Sequence, residues 1–133
     1  MKQISLKTTR RTELLDITRM IEEAAREAGV QNALCTIYVP HTTAAVTINE
    51  NADPSVAHDI LATVDELIPF HSPSYRHAEG NSAAHIKSSL LGCSQTVVLE
   101  NGSLRLGTWQ GVFFAEFDGP RSRKVWLWFS PLS

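Results

Sequence analysis

Apolar and polar residues alternate at the start of the chain, Ile4 and Leu6 against Ser5 and Lys7, and this period of two predicts a strand over residues 3–9. The period then changes. Leu14, Ile17, Ile21, Ala24 and Ala28 recur at spacings of three and four, the stripe of an amphipathic helix. Thr12 is its predicted cap, and Glu13 and Asp16 place negative charge near its positive end. Glu22 and Arg26 pair one turn apart on the wet face, and Gly29 stops the helix. Residues 33–39 predict a strand interrupted by Pro40, and the β-branched run over 43–48 predicts another. Asp53-Pro54 reads as the cap and first position of a second helix, with the stripe Ala57, Ile60, Leu61, Val64, Leu67 and Ile68 and a stop at Pro69. Residues 70–81 lack periodicity and predict a long loop, a feature that in compact domains often carries function. Residues 82–91 predict a short helix ended by Gly92, and strands over 94–100, 103–106, 109–117 and 124–130 complete the pattern. Asn101-Gly102 joins the first two of these, and both residues tolerate the positive φ that a tight hairpin demands.

Strands grouped apart from helices predict an α+β fold, a two-sheet β-sandwich with two main helices. Lys124, Trp126 and Trp128 alternate with Val125, Leu127 and Phe129, and Val112 and Phe114 oppose Phe113 and Phe117. Large apolar groups on both faces predict strands covered twice, by the second sheet and by a further layer or a neighbouring subunit.

At 133 residues the chain is expected to form one domain over residues 1–133. A net charge of −2 provides no global basic field for nucleic acid or an acidic membrane. The local cluster Arg121, Arg123 and Lys124 suits one phosphate group, or equally a solvated turn. No apolar run approaches a bilayer-spanning length, and Met1-Lys2-Gln3-Ile4 lacks the apolar core of a signal peptide, so the expected location is cytoplasmic. Cys35 and Cys93 form no C-x-x-C pair. Cys35 alternates with Ile37 and Val39 and reads as a buried thiol of a reducing compartment.

Five histidines, His41, His58, His71, His77 and His85, are many for this length. His41 lies between two predicted strands. His77 is in the loop and His85 is on the helix that follows, so a fold-back would let one metal ion or phosphate meet both rings. Imidazole suits zinc and related ions, and an open three-histidine site also polarises water or an oxyanion. No tight H-x-x-x-H pair is present, and a lone histidine is more often a hydrogen-bonded structural residue than a ligand, so both readings stay open. In Asn49-Glu50-Asn51-Ala52-Asp53-Pro54, capping accounts for Asp53 but not for Asn49 or Glu50. A helix N-terminus favours anions, and turns are polar anyway. His58-Asp59 follows one turn later, where Asp59 is placed to orient an imidazole. Thr108-Trp109-Gln110 is a polar and aromatic cluster entering a strand, which calls for a site or an interface.

Taken together, Pro40-His41-Thr42-Thr43-Ala44, Asn49 to Pro54, His58-Asp59, His77-Ala78-Glu79-Gly80-Asn81, His85 to Gly92 and Gly107-Thr108-Trp109-Gln110 resemble the YjbQ-like family over nearly the whole chain. Ser94, Val97, Leu99, Gly102, Gly107, Thr108, Trp109, Gln110 and Val112 fit its C-terminal signature position by position. The resemblance implies a compact α+β sandwich that associates as a homotrimer. It also implies a secondary thiamine-phosphate synthase activity, which joins a pyrimidine pyrophosphate to a thiazole phosphate and expels pyrophosphate.

A divalent metal, Zn or Mg, or an anion is implied in the histidine region, with His41, His77 and His85 as ligand candidates and His58, Asp59 and Glu50 close by. Ser82-Ala83-Ala84 is neutral where some members carry an acidic residue, which puts a carboxylate ligand from that segment in doubt. Under this reading His41, His85, Glu50, Lys87 and Gln110 are the catalytic candidates. Thr42, Thr43, Asn49, Asn51, Asn81, Thr108 and Arg123 would hold a small phosphorylated metabolite. Lys87 and Arg123 would stabilise the leaving pyrophosphate, and Glu50, Glu116 or Trp109 would face a cationic pyrimidine. The alternatives are metal-assisted hydrolysis of a small phosphorylated or acyl metabolite and a non-catalytic protein that sequesters a small ligand or metal.

Overall fold

The computed structural model of the chain describes residues 1–132. Their elements run β1 (Lys2–Lys7), β2 (Glu13–Asp16), α1 (Thr18–Glu27), β3 (Ala33–Tyr38), β4 (Ala44–Glu50), α2 (Pro54–Leu67), α3 (Ser82–Leu91), β5 (Ser94–Glu100), β6 (Ser103–Leu104), β7 (Gln110–Glu116) and β8 (Ser122–Pro131). The fold is α+β, with two sheets and three helices among these residues. One sheet has the order β1-β8-β3-β5-β6 and the other β2-β7-β4. The strand pairs are antiparallel. Asn101 and Gly102 adopt φ values of 52° and 82°, the turn expected between β5 and β6.

The helix predicted from Thr12 onward is corrected at its start. Residues Glu13 to Asp16 form β2, paired with Glu116 to Phe113 of β7. Leu14 and Leu15 face opposite ways, Leu14 toward the helices and Leu15 toward the space between the sheets. Long-range pairing with β7 outweighs local periodicity here. The Asp16 carboxylate then accepts bonds from Thr18 N–H at 2.9 Å and Thr18 Oγ1 at 2.6 Å, and the helix starts at Thr18. Those bonds hold the Asp16 carboxyl below its ordinary pKa, although its partial burial pushes the other way.

The main core lies between the sheets. Phe114, Val112, Ile37, Leu99, Val125 and Leu127 are fully buried there. Ile17 and Ile21 bring α1 into one end of this space, where Ile17 N–H bonds to Val112 O at 2.8 Å. The other face of β7 meets the helices. Ala115 and Phe117 pack with Ala45, Ala84, Leu61 and Leu91, and the small Ala45 and Ala84 let α3 approach β4 closely. Thus β7 is covered on both faces within one chain, as its composition predicts. The outer face of the larger sheet is not: Leu34, Tyr38, Val98 and Trp128 are 38–58% exposed. In the register, Leu34 sits beside Val98, and Thr36 lies beside Trp128, so these apolar groups share one face.

Candidate functional site

One end of the sandwich opens into a cleft of about 750 Å³, within the size range of small-molecule sites. The fold gathers it from separate stretches. Tyr38 ends β3, and Pro40-His41-Thr42-Thr43 crosses from the large sheet to the small one. His77 and Glu79 come from the loop before α3, Asn81 and His85 from the start of α3, and Arg121, Arg123 and Trp126 from the β7–β8 turn and β8. Tyr38 and Trp126 are register partners on the outer face, and their rings stack at 5.9 Å and 23°.

Beneath the cleft, Arg123 and Glu116 form an ion pair that is almost fully buried, at 3% and 0% exposure. Arg123 Nε donates to Glu116 Oε1 at 2.8 Å, and Nη2 donates to Glu116 Oε2 and to Thr43 Oγ1. Thr8 Oγ1 donates to Glu116 Oε1 at 2.7 Å, and Asp118 N–H to Oε2 at 2.9 Å. Burial raises the Glu116 pKa, but the bonds from Arg123, Asp118 and Thr8 prevail and hold the carboxyl below its ordinary value. Thr8 follows β1 and Thr43 precedes β4, so the network joins these strand ends to β7 and β8 and ties the two sheets at the end opposite α1. Gly119 passes so close that an added Cβ would lie 2.7 Å from Thr8 Oγ1 and 2.9 Å from Glu116 Cγ.

Three imidazoles line the cleft without converging. His77 and His85 meet edge to face, centroids 5.2 Å apart at 88°. His41 Nε2 accepts the backbone N–H of Lys124 at 2.9 Å, so its lone pair is engaged. Among the described residues no three His, Cys, Asp or Glu side chains are grouped as a metal ion would require. The residues present therefore do not fit the metal centre that the resemblance implies. Desolvation, and then the charges of Arg123 and Lys124, keep the His41 pKa below the usual imidazole value, with Glu116 among the groups that pull the other way. Asn81 Nδ2 donates to Asp118 Oδ2 at 2.8 Å, and Arg121 Nη2 donates to the same oxygen at 3.1 Å, which joins the start of α3 to the β7–β8 turn. Asn81 Oδ1 is buried without a partner among the described residues.

Of the residues singled out above, His41, His77, His85, Thr42, Thr43, Asn81 and Arg123 share this cleft. Arg123 differs from the expected free phosphate binder, because Nε and Nη2 are committed to Glu116 and Thr43. The remaining candidates lie elsewhere. Asn49 and Glu50 end β4 and Asn51 follows it, at the opposite end of the strand, a rise of about 20 Å from Thr43. Asn49 Oδ1 accepts Glu50 N–H, and Asn51 Nδ2 donates to Asp16. Gln110 sits at that same end, opposite Glu50, and its Oε1 accepts Gly107 N–H at 2.7 Å. Thr108 and Trp109 are exposed in the turn so formed. Glu116 is sealed inside and cannot face a substrate.

Lys87 is buried on α3 and donates to Asp65 of α2 at 2.8 Å, with its ammonium 5.8 Å from the Phe117 ring. It clamps two helices rather than serving the cleft. His58 and Asp59 bond to each other on the exposed face of α2. Tyr38, Glu79 and Trp126 belong to the cleft and were not chosen as site residues from sequence. A large aromatic at the solvent-facing position of an alternating strand was the available signal for Tyr38 and Trp126.

Fold and cleft together define a small α+β sandwich protein with one polar, imidazole-lined recess at the seam of its sheets. The family model described as UPF0047 protein YjbQ-like matches residues 2–131, and the chain belongs to that family. The UPF0047 protein YugU of Bacillus subtilis is 53% identical over 127 residues, 96% of each chain. The UPF0047 protein MJ1081 of Methanocaldococcus jannaschii is 57% identical over 122 residues, 92% of this chain and 88% of that protein. A conserved protein of the YjbQ/UPF0047 family from Clostridium acetobutylicum superposes with a TM-score of 0.92 at 50% identity, over 97% of this chain and 99% of that one.

These relatives are described by family alone. They lend no support to thiamine-phosphate synthesis, to metal-assisted hydrolysis or to a metal pocket, and those expectations are corrected accordingly. Among the described residues no helix is long and apolar enough to cross a membrane.

Proposed function

We propose that the cleft binds a small phosphorylated metabolite. The observation that carries this reading is that His41, His77, His85, Arg121 and Arg123, which come from separate stretches of the chain, line the same recess. Ring and guanidinium N–H groups are suited to phosphate oxygens, and bonds to a charged group are the stronger kind. The site is polar, partly enclosed, and backed by a rigid ion pair, so its donors are held in place before a ligand arrives.

The test is a titration of the ¹⁵N-labelled protein with inorganic phosphate and with glycerol phosphate. Shift changes are expected at His41, His77, His85, Arg121 and Trp126, and His85→Ala should weaken binding by about tenfold or more, the worth of one hydrogen bond to a charged group. Changes scattered over the surface, or none in the cleft, overturn the reading.

A homotrimer is proposed alongside it. Its support is the uncovered apolar face that carries Leu34, Val98 and Trp128, which a second copy of the chain would cover. The order of three rests on the family resemblance. Light scattering should give the mass of three chains, and Trp128→Lys should lower it. The mass of one chain for the unaltered protein would remove the proposal.

A further inference from the structure

We infer that His41 acts as a neutral hydrogen-bond donor of fixed tautomer, presenting Nδ1–H beside Arg123 Nη1 to one oxygen of an anionic ligand. The inference deepens the phosphate reading of the cleft and rests on it.

Its basis is the bond from β8. A backbone N–H only donates, so when Lys124 N–H reaches His41 Nε2 at 2.9 Å that nitrogen must carry the lone pair. In a neutral ring the proton then sits on Nδ1, on the other side of the imidazole from β8. Nδ1 has no partner within the described residues, and it is not among their buried, unpartnered atoms. It therefore reaches solvent, and His41 lines the cleft.

The same reasoning applies to Arg123. Nε and Nη2 are bonded to Glu116 and Thr43, whereas Nη1 has no partner among the described residues and is not among their buried, unpartnered atoms either. The rest of Arg123 is almost fully buried. Both atoms thus reach solvent on side chains held in place, one neutral and one cationic, and both residues line the same cleft. Locking has a physical purpose: a donor already aimed loses little freedom when it meets an oxygen.

A protonated His41 would lose the Lys124 bond, because both ring nitrogens would then be donors. The surroundings disfavour that form. Arg123 and Lys124 of β8 are cationic neighbours, Glu116 of β7 opposes them but is paired, and His85, His77 and Glu79 face the same cleft from α3 and its preceding loop.

The experiment has two parts. Long-range ¹H–¹⁵N spectra of the ligand-free protein should show His41 protonated at Nδ1 and bare at Nε2. A proton on Nε2, or a doubly protonated ring at pH 7, overturns the inference whatever the ligand does.

The second part compares His41→Gln with His41→Asn. Glutamine can accept the Lys124 N–H in place of Nε2 but has no donor at the Nδ1 position. Asparagine places its amide nitrogen near Nδ1 but cannot reach Lys124. His41→Gln is expected to keep the urea midpoint and to lose about tenfold or more in inorganic phosphate affinity. His41→Asn should lower the midpoint yet bind phosphate more tightly than His41→Gln does. Equal losses in both variants overturn the donor role. If the unaltered protein binds no phosphate, the reading of the cleft fails and the donor role with it, while the spectra still decide the tautomer separately.

Discussion

Glu116→Ala is expected to destabilise the protein by about 3–5 kcal/mol, because it strands a buried guanidinium without its counter-charge. Arg123 is only 3% exposed, and its bonds to Thr43 cannot neutralise it. Replacing both partners with apolar residues of similar volume, Glu116→Leu with Arg123→Met, should recover most of that loss, since neither charge is then desolvated. Urea denaturation of the two single variants and the double variant gives the coupling directly. A loss below about 1 kcal/mol in Glu116→Ala would show that solvation of the open Nη1 edge is enough for Arg123 to do without its counter-charge.

Acid should reveal the same network. The folded Glu116 pKa lies below its unfolded value of 4.5, so its stabilising contribution is complete above that pH and is lost as pH falls through the folded value. His41 adds an earlier stage. Its folded pKa is depressed, so the unfolded chain takes up the proton first, and stability declines once pH drops below about 6.5. His41→Gln should abolish the early stage and keep the late one.

Phe114→Ala is expected to cost about 3–5 kcal/mol, the range for removing a fully buried aromatic ring. Phe114 is among the largest fully buried side chains, and it points from the middle of β7 into the space between the sheets. Its neighbours there come from both sheets and from α1, so no single element can shift to fill the void. The measurement is again urea denaturation, with the slope showing whether the altered protein still unfolds as one unit. A cost under about 1.5 kcal/mol would mean that the core relaxes around the gap, and that it is less tightly packed than its burial indicates.

What could be read from the residues alone divides along physical lines. The Asn101-Gly102 hairpin, the capped start of α2 at Asp53 and the end of α3 at Gly92 depend on chemistry within a few residues, and each was legible. The start of α1 was not. Leu14 to Ile17 has helical spacing, but Glu13 to Asp16 is claimed by β7, some hundred residues later in the chain. The cleft was legible in part. His41, His77 and His85 stood out as residue types, yet nothing local distinguished them from Glu50, Asn51 and Gln110. The deciding fact is that β4 separates the two groups, one before its first residue and one around its last. Lys87 misled for a related reason. On a helix of unknown neighbours a lysine reads as a surface charge or a catalytic one, and only the fold shows it buried and bonded to Asp65 of α2. Arg123 and Glu116 were each noticed for charge, but their mutual pairing follows from the meeting of two sheets.

The two cysteines differ in a way that bears on future experiments. Cys35 is sealed in the main core, where burial pushes its thiol up to about 12, while Cys93 is exposed and lines a groove together with His41 and His85. A maleimide dye applied to the native fold would thus attach at a single, predetermined position beside the recess. The unaltered chain comes ready for fluorescence studies of ligand entry, with no engineered anchor.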